Sequence, residues 1–428
     1  MCVQEFDLTE EQRDVAQQIL DAGPLCDECL GRAFGRLGRG YTNVRRGRIV
    51  REALGRAAAQ PVGSCWVCGD LFERVDDWAE RAVTMAQGWE YATYRFGVIL
   101  TPRLEQMEAY FAERFPTGAI ESLKHSVNRV LGMEFERRTN CGTVAFTEPH
   151  VSFVVDLASD VVSMDVASVY VASRYRKLVR GIPQTKWPCR VCRGRGCDAC
   201  HHTGKQYAES VEEWIGTPLV SAAKAGSAIL HGAGREDIDA RMLGTGRPFV
   251  LELVSPHVRT LDWDRLADAV NNEASGRVQV CGFVPATRRE VGRAKTTPSQ
   301  KEYRARVAFD RPITESGLTE ALQGLERMIE QRTPQRVAHR RADLVRVRAV
   351  HRARGRLIDE QQAEVEFVTD GGLYVKELVS GDGGRTTPNL ASRLNVGAVV
   401  RELDVVGILS GDLAKALELE ECTWMDSA

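Results

Sequence analysis

Three short stretches of the sequence carry side chains that together could activate and hold a reacting group. Asp237 lies in Gly-Arg-Glu-Asp, where the glycine permits a loop to approach a ligand closely. Tyr303 lies in a segment whose alternation places its ring on one strand face, and Lys376 follows the segment Gly-Gly-Leu-Tyr-Val. A carboxylate near reacting atoms can act as a nucleophile or stabilise a transient intermediate, and a contacting cation keeps it ionised and oriented.

The order and spacing of these stretches resembles the active-site motifs of the pseudouridine synthases. The resemblance implies that Asp237 attacks a uridine, Tyr303 stacks on the base and Lys376 pairs with the aspartate. The amino-acid sequence from Ala233 to Phe249 is similar to that of the THUMP-containing synthases that modify neighbouring uridines 54 and 55 in the TΨC arm of archaeal tRNA. Their reaction breaks the glycosidic C–N bond, turns the uracil and rejoins it through carbon, with no cofactor.

Each of these residues also has an ordinary structural interpretation. Asp237 could cap a turn, and Asp239 is a rival two residues on, but the family's Gly-Arg-x-Asp pattern favours Asp237. Tyr303 could be a core residue whose hydroxyl finds another partner. Lys376 could be a solvated surface lysine. The related motif has arginine at this position, so the lysine keeps the charge but loses the bidentate geometry. Taken together, the three motifs favour the catalytic interpretation.

Arginine is concentrated between positions 332 and 356, where nine arginines occur with a single acidic residue. The segment Val-Arg-Val-Arg-Ala-Val at 345–350 is expected to bury its valines and to line its arginines along the opposite face. Such a stripe suits phosphate contacts, whereas a solvated face is the alternative. The residues predicted to bind the RNA substrate are Arg235, Arg346, Arg348 and Arg385.

Eight of the twelve cysteines form Cys-x-x-Cys pairs. Two such pairs can supply the closed tetrahedral shell of four sulfurs that a structural zinc prefers, although buried free thiols are the alternative. The first zinc site is predicted at Cys26, Cys29, Cys65 and Cys68. The second, which resembles chaperone zinc fingers, is predicted at Cys189, Cys192, Cys197 and Cys200.

Composition limits the classes of protein to which the chain can belong. With 428 residues, 43% of them hydrophobic, it should form two to four domains with real cores. A net charge of −2 means that RNA must be met by local basic surface. The start of the chain predicts no secretory signal, no long apolar run predicts a membrane span, and paired cysteines without export indicate a reducing compartment. A cytoplasmic monomer that binds tRNA and no membrane is expected.

The mixed order of predicted elements favours an α+β fold over a doubly wound sheet. Expected elements include a helix after Thr9, a strand over 94–100, a helix over Thr319–Glu330 and a strand over 398–409. The predicted organisation is a zinc-binding segment (1–70), a THUMP-like RNA-binding domain (71–180), a second zinc knuckle and linker (181–209) and a mixed-sheet pseudouridine-synthase-like catalytic domain (210–428). The THUMP assignment is implied by the resemblance.

Two other functions remain open from the sequence. Another THUMP-type tRNA-modifying enzyme would need a glycine-rich loop for a methyl donor or a nucleotide, and Gly232-x-Gly234 does not continue as one. A non-catalytic zinc-containing tRNA-binding protein would bind tRNA without producing a modified base.

Overall fold

A capping box at Thr9 starts the first helix, as the sequence predicts. The Thr9 hydroxyl accepts from the Gln12 backbone amide at 3.2 Å, and the Gln12 side chain accepts from the Thr9 amide at 3.0 Å. The computed structural model describes residues 6–38, 40–56, 65–339, 341–409, 417, 419 and 424. It divides into two compact units, Met1–Ala167 and Ser168–Ala428. None of the helices in these described ranges is long and apolar enough to span a membrane.

Within its described residues, the first unit combines six α-helices with a small sheet. The sheet order is β2-β1-β3-β4, with β1 parallel to β2 and β3, and β4 antiparallel to β3. Its buried aromatic core includes Trp78, Phe135 and Phe153. The elements are α1 (Glu10–Asp21), α2 (Asp27–Ala33), α3 (Asn43–Ala53), α4 (Val75–Ala86), β1 (Thr93–Ile99), α5 (Pro102–Arg114), α6 (Leu123–Thr139), β2 (Thr143–Val144), β3 (Val151–Asp156) and β4 (Val161–Val166).

The second unit is built on one large sheet. The strand order is β14-β11-β12-β13-β10-β15-β7-β5-β8, with β6 on β7 and β9 on β5. The elements are β5 (Val169–Lys177), α7 (Val211–Ala223), β6 (Ser227–Gly232), β7 (Arg241–Val254), α8 (Trp263–Glu273), β8 (Val278–Val280), β9 (Val284–Ala286), α9 (Arg288–Thr296), β10 (Gln300–Phe309), α10 (Glu315–Gln323), β11 (Met328–Arg332), β12 (Val345–Asp359), β13 (Gln362–Asp370), α11 (Val375–Ser380), β14 (Thr386–Thr387), α12 (Leu390–Leu394) and β15 (Ala398–Leu409).

The mixed sheets with interspersed helices confirm the α+β class. β15 pairs parallel with β7, whereas β10 pairs antiparallel with both β13 and β15. β5, which the sequence placed in the 71–180 domain, pairs antiparallel with β7 and therefore belongs to the sheet of the second unit.

The predicted helix over Thr319–Glu330 is wrong in its second half. Helix α10 covers Glu315–Gln323 and is followed by a turn, and β11 then begins at Met328. In β11 the buried residues alternate with exposed ones, so Ile329 and Gln331 face inward. The alternation of β11 is not evident in the sequence, because the segment is short and also contains residues that favour helices.

Candidate active site

Neighbouring parts of the large sheet converge on one pocket of about 710 Å³ in the second unit. The loop between β6 and β7 supplies Asp237, β10 supplies Tyr303, and the first turn of α11 supplies Lys376. Leu403 and Val405 of β15 also line the pocket. The sheet order brings these together because β10 lies between β13, which leads into α11, and β15, which pairs with β7.

Asp237 is held by two cations. Its Oδ2 lies 3.1 Å from a guanidinium nitrogen of Arg336 and 3.6 Å from Nζ of Lys376. The Asp237 side chain is 37% exposed, so a ligand in the pocket can reach it. The two cations therefore fix the orientation of a carboxylate that is open to the pocket, as a nucleophile must be.

The position of Arg336 is fixed by groups on the opposite side of its guanidinium. Arg336 belongs to a single 3-10 turn, Gln335–Val337, and its Nε donates to the buried Glu377 at 2.6 Å. Its guanidinium also lies 5.8 Å from the centre of the Tyr374 ring. Burial lowers the pKa of Arg336, but the hydrogen bonds and charges of Glu377 and Asp237 outweigh it, so the net shift of the pKa is upward. The arginine is therefore oriented by Glu377 and presented to Asp237.

Lys376 contacts both aspartates of the loop. Its Nζ lies 2.7 and 2.8 Å from the two carboxylate oxygens of Asp239, closer than to Asp237. Burial raises the pKa of Asp239, but the hydrogen bond and charge of Lys376 outweigh it and the net shift is downward. Asp239 is 68% exposed and pairs with Lys376. Among the described residues, Arg336 forms its aspartate ion pair with Asp237 and none with Asp239. Lys376 thus ties the two ends of a short loop segment together.

Tyr303 faces the pocket from the centre of the sheet. On β10 it is paired with Phe367 of β13 and Val405 of β15, and it is 9% exposed. Burial raises the pKa of Tyr303 to about 12, so its hydroxyl stays protonated near neutral pH. The ring is part of the core and also part of the pocket wall, so its burial does not remove it from the pocket.

A buried charge network supports the loop that carries Asp237. Glu236 and Arg247 form an ion pair at 2.9 Å, with 0% and 1% of their side chains exposed. Tyr175 donates to both carboxylate oxygens of Glu236 at 2.9 Å. Arg247 donates to the Ala233 carbonyl at 2.7 Å, and Lys177 donates to the Asp237 carbonyl at 3.1 Å. The loop backbone is therefore fixed from beneath.

Lys301 is a further cation of the pocket, and the sequence motifs do not single it out. It lies two residues before Tyr303 on the same face of β10 and lines the pocket. Its Nζ lies so close to Gly234 that a Cβ there would approach it to 2.7 Å. Burial, followed by the charge of Arg247, lowers the pKa of Lys301 to about 8. Gly234, whose φ is +84°, thus makes room for this ammonium group.

The structure brings three of the four predicted RNA-binding arginines to the pocket. Arg235, Arg346 and Arg348 line it, as does Arg341. Arg385 is not among the lining residues, because it donates to the Thr333 carbonyl at 2.6 Å and pairs with Asp343 at 2.8 Å. Substrate binding by Arg385 stays a prediction, and any such contact would lie outside the pocket lining.

The predicted burial of the valines on β12 is confirmed for Val350, which is 3% exposed, and is wrong for Val345 and Val347. Val345 and Val347 are 57% and 48% exposed, whereas Arg346 and Arg348 are half-buried against the pocket. Arg346 donates to the Thr333 hydroxyl at 3.0 Å and Arg348 to the Gly371 carbonyl at 3.2 Å. Pocket-facing polar groups satisfy the arginines, so the alternation is present but its inward face is the polar one.

Both cysteine sets have the geometry of a four-sulfur metal shell. In each set the four sulfurs lie within 4.8 Å of one another. A tetrahedral zinc with Zn–S bonds of about 2.3 Å separates its sulfurs by roughly 3.8 Å. The Cys26–Cys68 distance is 3.7 Å, and the Cys192–Cys200 distance is 3.8 Å. The residues present fit zinc, and no cysteine of either set is among the residues that line the pocket.

Comparison with known proteins covers most of the chain. The family model described as "Pus10, C-terminal" matches residues 170–408, and the one described as "Pus10 THUMP domain, archaeal" matches residues 78–156. A protein named tRNA pseudouridine synthase Pus10 from Halorubrum lacusprofundi is 43% identical over 93% of this chain and 96% of its own length. The protein of the same name from Methanothrix thermoacetophila is 41% identical over 92% of this chain and 93% of its own length.

The fold, the pocket and these matches define an isomerase of the pseudouridine synthase class. Within that class, the chain belongs to the Pus10 family.

Proposed function

We propose that this enzyme converts uridine to pseudouridine at positions 54 and 55 of the TΨC loop of tRNA, with Asp237 as the attacking carboxylate. The observation that supports the proposal most strongly is the convergence of Asp237, Tyr303 and Lys376 on one pocket. These residues come from three separate segments of the chain, and each stands where a pseudouridine synthase motif predicts it. The names of the curated relatives support tRNA as the substrate.

In this proposal the chemistry divides among four side chains. Asp237 attacks the target nucleotide and allows the glycosidic C–N bond to break, while Arg336 and Lys376 orient the carboxylate. The freed uracil turns and rejoins the sugar through carbon, which breaks the bond to Asp237 and returns the free carboxylate. The rejoined carbon loses a proton and the released nitrogen gains one, so atoms balance without a cofactor. Tyr303, protonated and packed beneath the pocket, stacks on the base.

The substrate enters as an extruded nucleotide. Arg235, Arg346 and Arg348 line the pocket and supply positive charge for the flanking phosphates. A uridine inside a folded loop must leave its stack before Asp237 can reach it, and a loop costs less to open than a duplex. The net charge of −2 confines this attraction to the arginine-rich side of the catalytic unit.

The two cysteine sets are proposed to bind one structural zinc each. Cys29, Cys65 and Cys68 belong to the core of the first unit, where the metal replaces part of the apolar packing. In the second set, backbone amides of Gly196 and Gly204 donate to cysteine sulfurs at 3.2 Å, which suits thiolate ligands. When bound, zinc would supply cross-linking of the chain, and the chemistry in the pocket would proceed apart from it.

The test is incubation of the purified protein with an unmodified tRNA transcript, followed by pseudouridine-specific chemical mapping. Wild-type protein should modify positions 54 and 55, and Asp237→Ala should modify neither while still binding the transcript. Asp239→Ala is the matched control, because it removes a second loop carboxylate that shares Lys376. Tight binding without a modified base in the wild type would instead support a tRNA-binding protein that is not a catalyst.

A further inference from the structure

A tryptophan, Trp187, connects the second cysteine set with the pocket. Trp187, two residues before Cys189, lines the pocket together with Gly234 and Arg235 of the catalytic loop. The segment that leads to it is joined to that loop, because Gln184 donates to the Gly234 carbonyl at 3.0 Å. The cysteine set therefore has a direct structural connection to the site of reaction.

The Trp187 ring takes part in an aromatic and cationic stack. The Arg235 guanidinium lies over the ring, 4.9 Å from its centre. Tyr207 meets the same ring edge-on, with centroids 5.6 Å apart and planes at 83°. Trp187 is half-buried and Arg235 is exposed at the pocket. Arginine planes and aromatic rings are the surfaces on which proteins stack unpaired nucleobases.

The cysteine knuckle, defined as residues 188–206, holds the backbone of this tryptophan in place. The Gln206 amide donates to the Trp187 carbonyl at 3.0 Å, and the Cys189 amide donates to the Gly204 carbonyl at 2.7 Å. Pro188 and Lys205 form a β-bridge between these two bonds. Lys205 also pairs with Glu213 of α7 at 2.7 Å, which fixes the knuckle to the catalytic unit.

We infer that Trp187 and Arg235 form a stacking site for the unpaired nucleobase next to the target uridine, and that the knuckle holds this site in place. The inference rests on the proposed function, since it requires an RNA substrate in the pocket. An extruded uridine leaves its neighbour without a stacking partner, and a Trp–Arg platform at the pocket wall replaces the lost contact. Trp187 is a substrate-positioning residue in this account, because Asp237 and Tyr303 engage the reacting nucleotide itself.

The direct experiment uses tRNA transcripts with 2-aminopurine placed in turn on the 5′ and the 3′ side of the target uridine. Stacking quenches 2-aminopurine fluorescence, so binding reports the platform without any need for turnover. Wild-type protein should quench one of the two probes. Trp187→Ala should lose that quenching and raise the KM for tRNA by about 5- to 100-fold, with little change in the rate at saturating tRNA. Trp187→Phe should restore part of both effects.

Two further samples make the result decisive. Val191→Ala is the matched control, because Val191 lies in the same knuckle, is 71% exposed and does not line the pocket. Cys192→Ser should reproduce the Trp187→Ala quenching defect and lower the zinc content measured by metal analysis. Equal quenching by wild type and Trp187→Ala, or a fall in the saturated rate with unchanged KM, would overturn the stacking site. Absence of pseudouridine in the wild-type sample would refute the proposed function. The fluorescence comparison needs no turnover, so it tests the stacking site on its own.

Discussion

Substitution of Glu236 by glutamine tests whether a buried charge network supports the catalytic loop. Glu236 and Arg247 have 0% and 1% of their side chains exposed and lie 2.9 Å apart, and Lys177 lies 4.0 Å from the same carboxylate. Glutamine keeps the shape of the side chain but leaves two cations without their buried counter-charge. Removing one partner of such a pair typically costs about 3–5 kcal/mol of unfolding free energy. That cost is a large part of the roughly 5–15 kcal/mol available to a protein.

Hydrogen exchange measured by mass spectrometry is the appropriate assay, because a two-unit protein need not unfold in one transition. Peptides from β5 and β7 that exchange through opening of the whole second unit should lose protection by about 100- to 5000-fold in Glu236→Gln. Peptides from the first unit should be unchanged. The double variant Glu236→Gln with Arg247→Met should recover part of the loss, because it removes charge from both sides of the pair.

The matched control is Glu366→Gln on β13. Its partner Arg304 lies 3.0 Å away, but the two side chains are 39% and 48% exposed. An exposed pair of this kind contributes about 0–1 kcal/mol, so protection should change less than about tenfold. If Glu236→Gln costs no more than Glu366→Gln, the network does not support the loop and the reasoning fails.

Three further predictions concern charge, pH and metal. Arg336→Gln should slow single-turnover pseudouridine formation by about 10- to 100-fold, with partial recovery in Arg336→Lys, because a charged hydrogen bond is lost. The pKa of Lys301 in the folded state, about 8, lies below its ordinary value of 10.5. At pH values between these two, the unfolded state therefore binds more protons than the folded state. The urea midpoint for unfolding of the second unit should therefore rise between pH 8 and 10, with a smaller rise in Lys301→Met. Zinc removal by a chelator should lower the first unit's unfolding temperature by more than about 10 °C in calorimetry.

The sequence predicts the fold where periodicity and capping are strong. Strand β15 was predicted over 398–409 and has those bounds, and α1 begins at Glu10 after the Thr9 capping box. The Thr319–Glu330 helix was half wrong, because tertiary pairing of β11 with β12 prevails over local helix propensity.

Spacing along the chain also predicts which motifs meet, but it cannot predict their closest contacts. Arg336 lies nearer to Asp237 than Lys376 does, yet it stands in an arginine-rich run where nothing distinguishes it from its neighbours. Glu236 and Arg247 come together only because the β6–β7 pairing folds the loop back onto its own strand. Such a contact depends on strand register and on burial, and neither can be read from a single sequence at the level of one side chain.

The most direct test of the central claim is tritium release from tRNA carrying [5-³H]uridine, measured under single-turnover conditions. Rejoining the uracil through carbon expels the hydrogen at that position, so release reports the isomerisation itself. The account predicts release by wild-type protein and by Asp239→Asn within about tenfold of each other, and none by Asp237→Asn even though that variant binds tRNA. Release by Asp237→Asn at the wild-type rate, or loss of release in Asp239→Asn alone, would contradict the assignment of Asp237 as the attacking carboxylate.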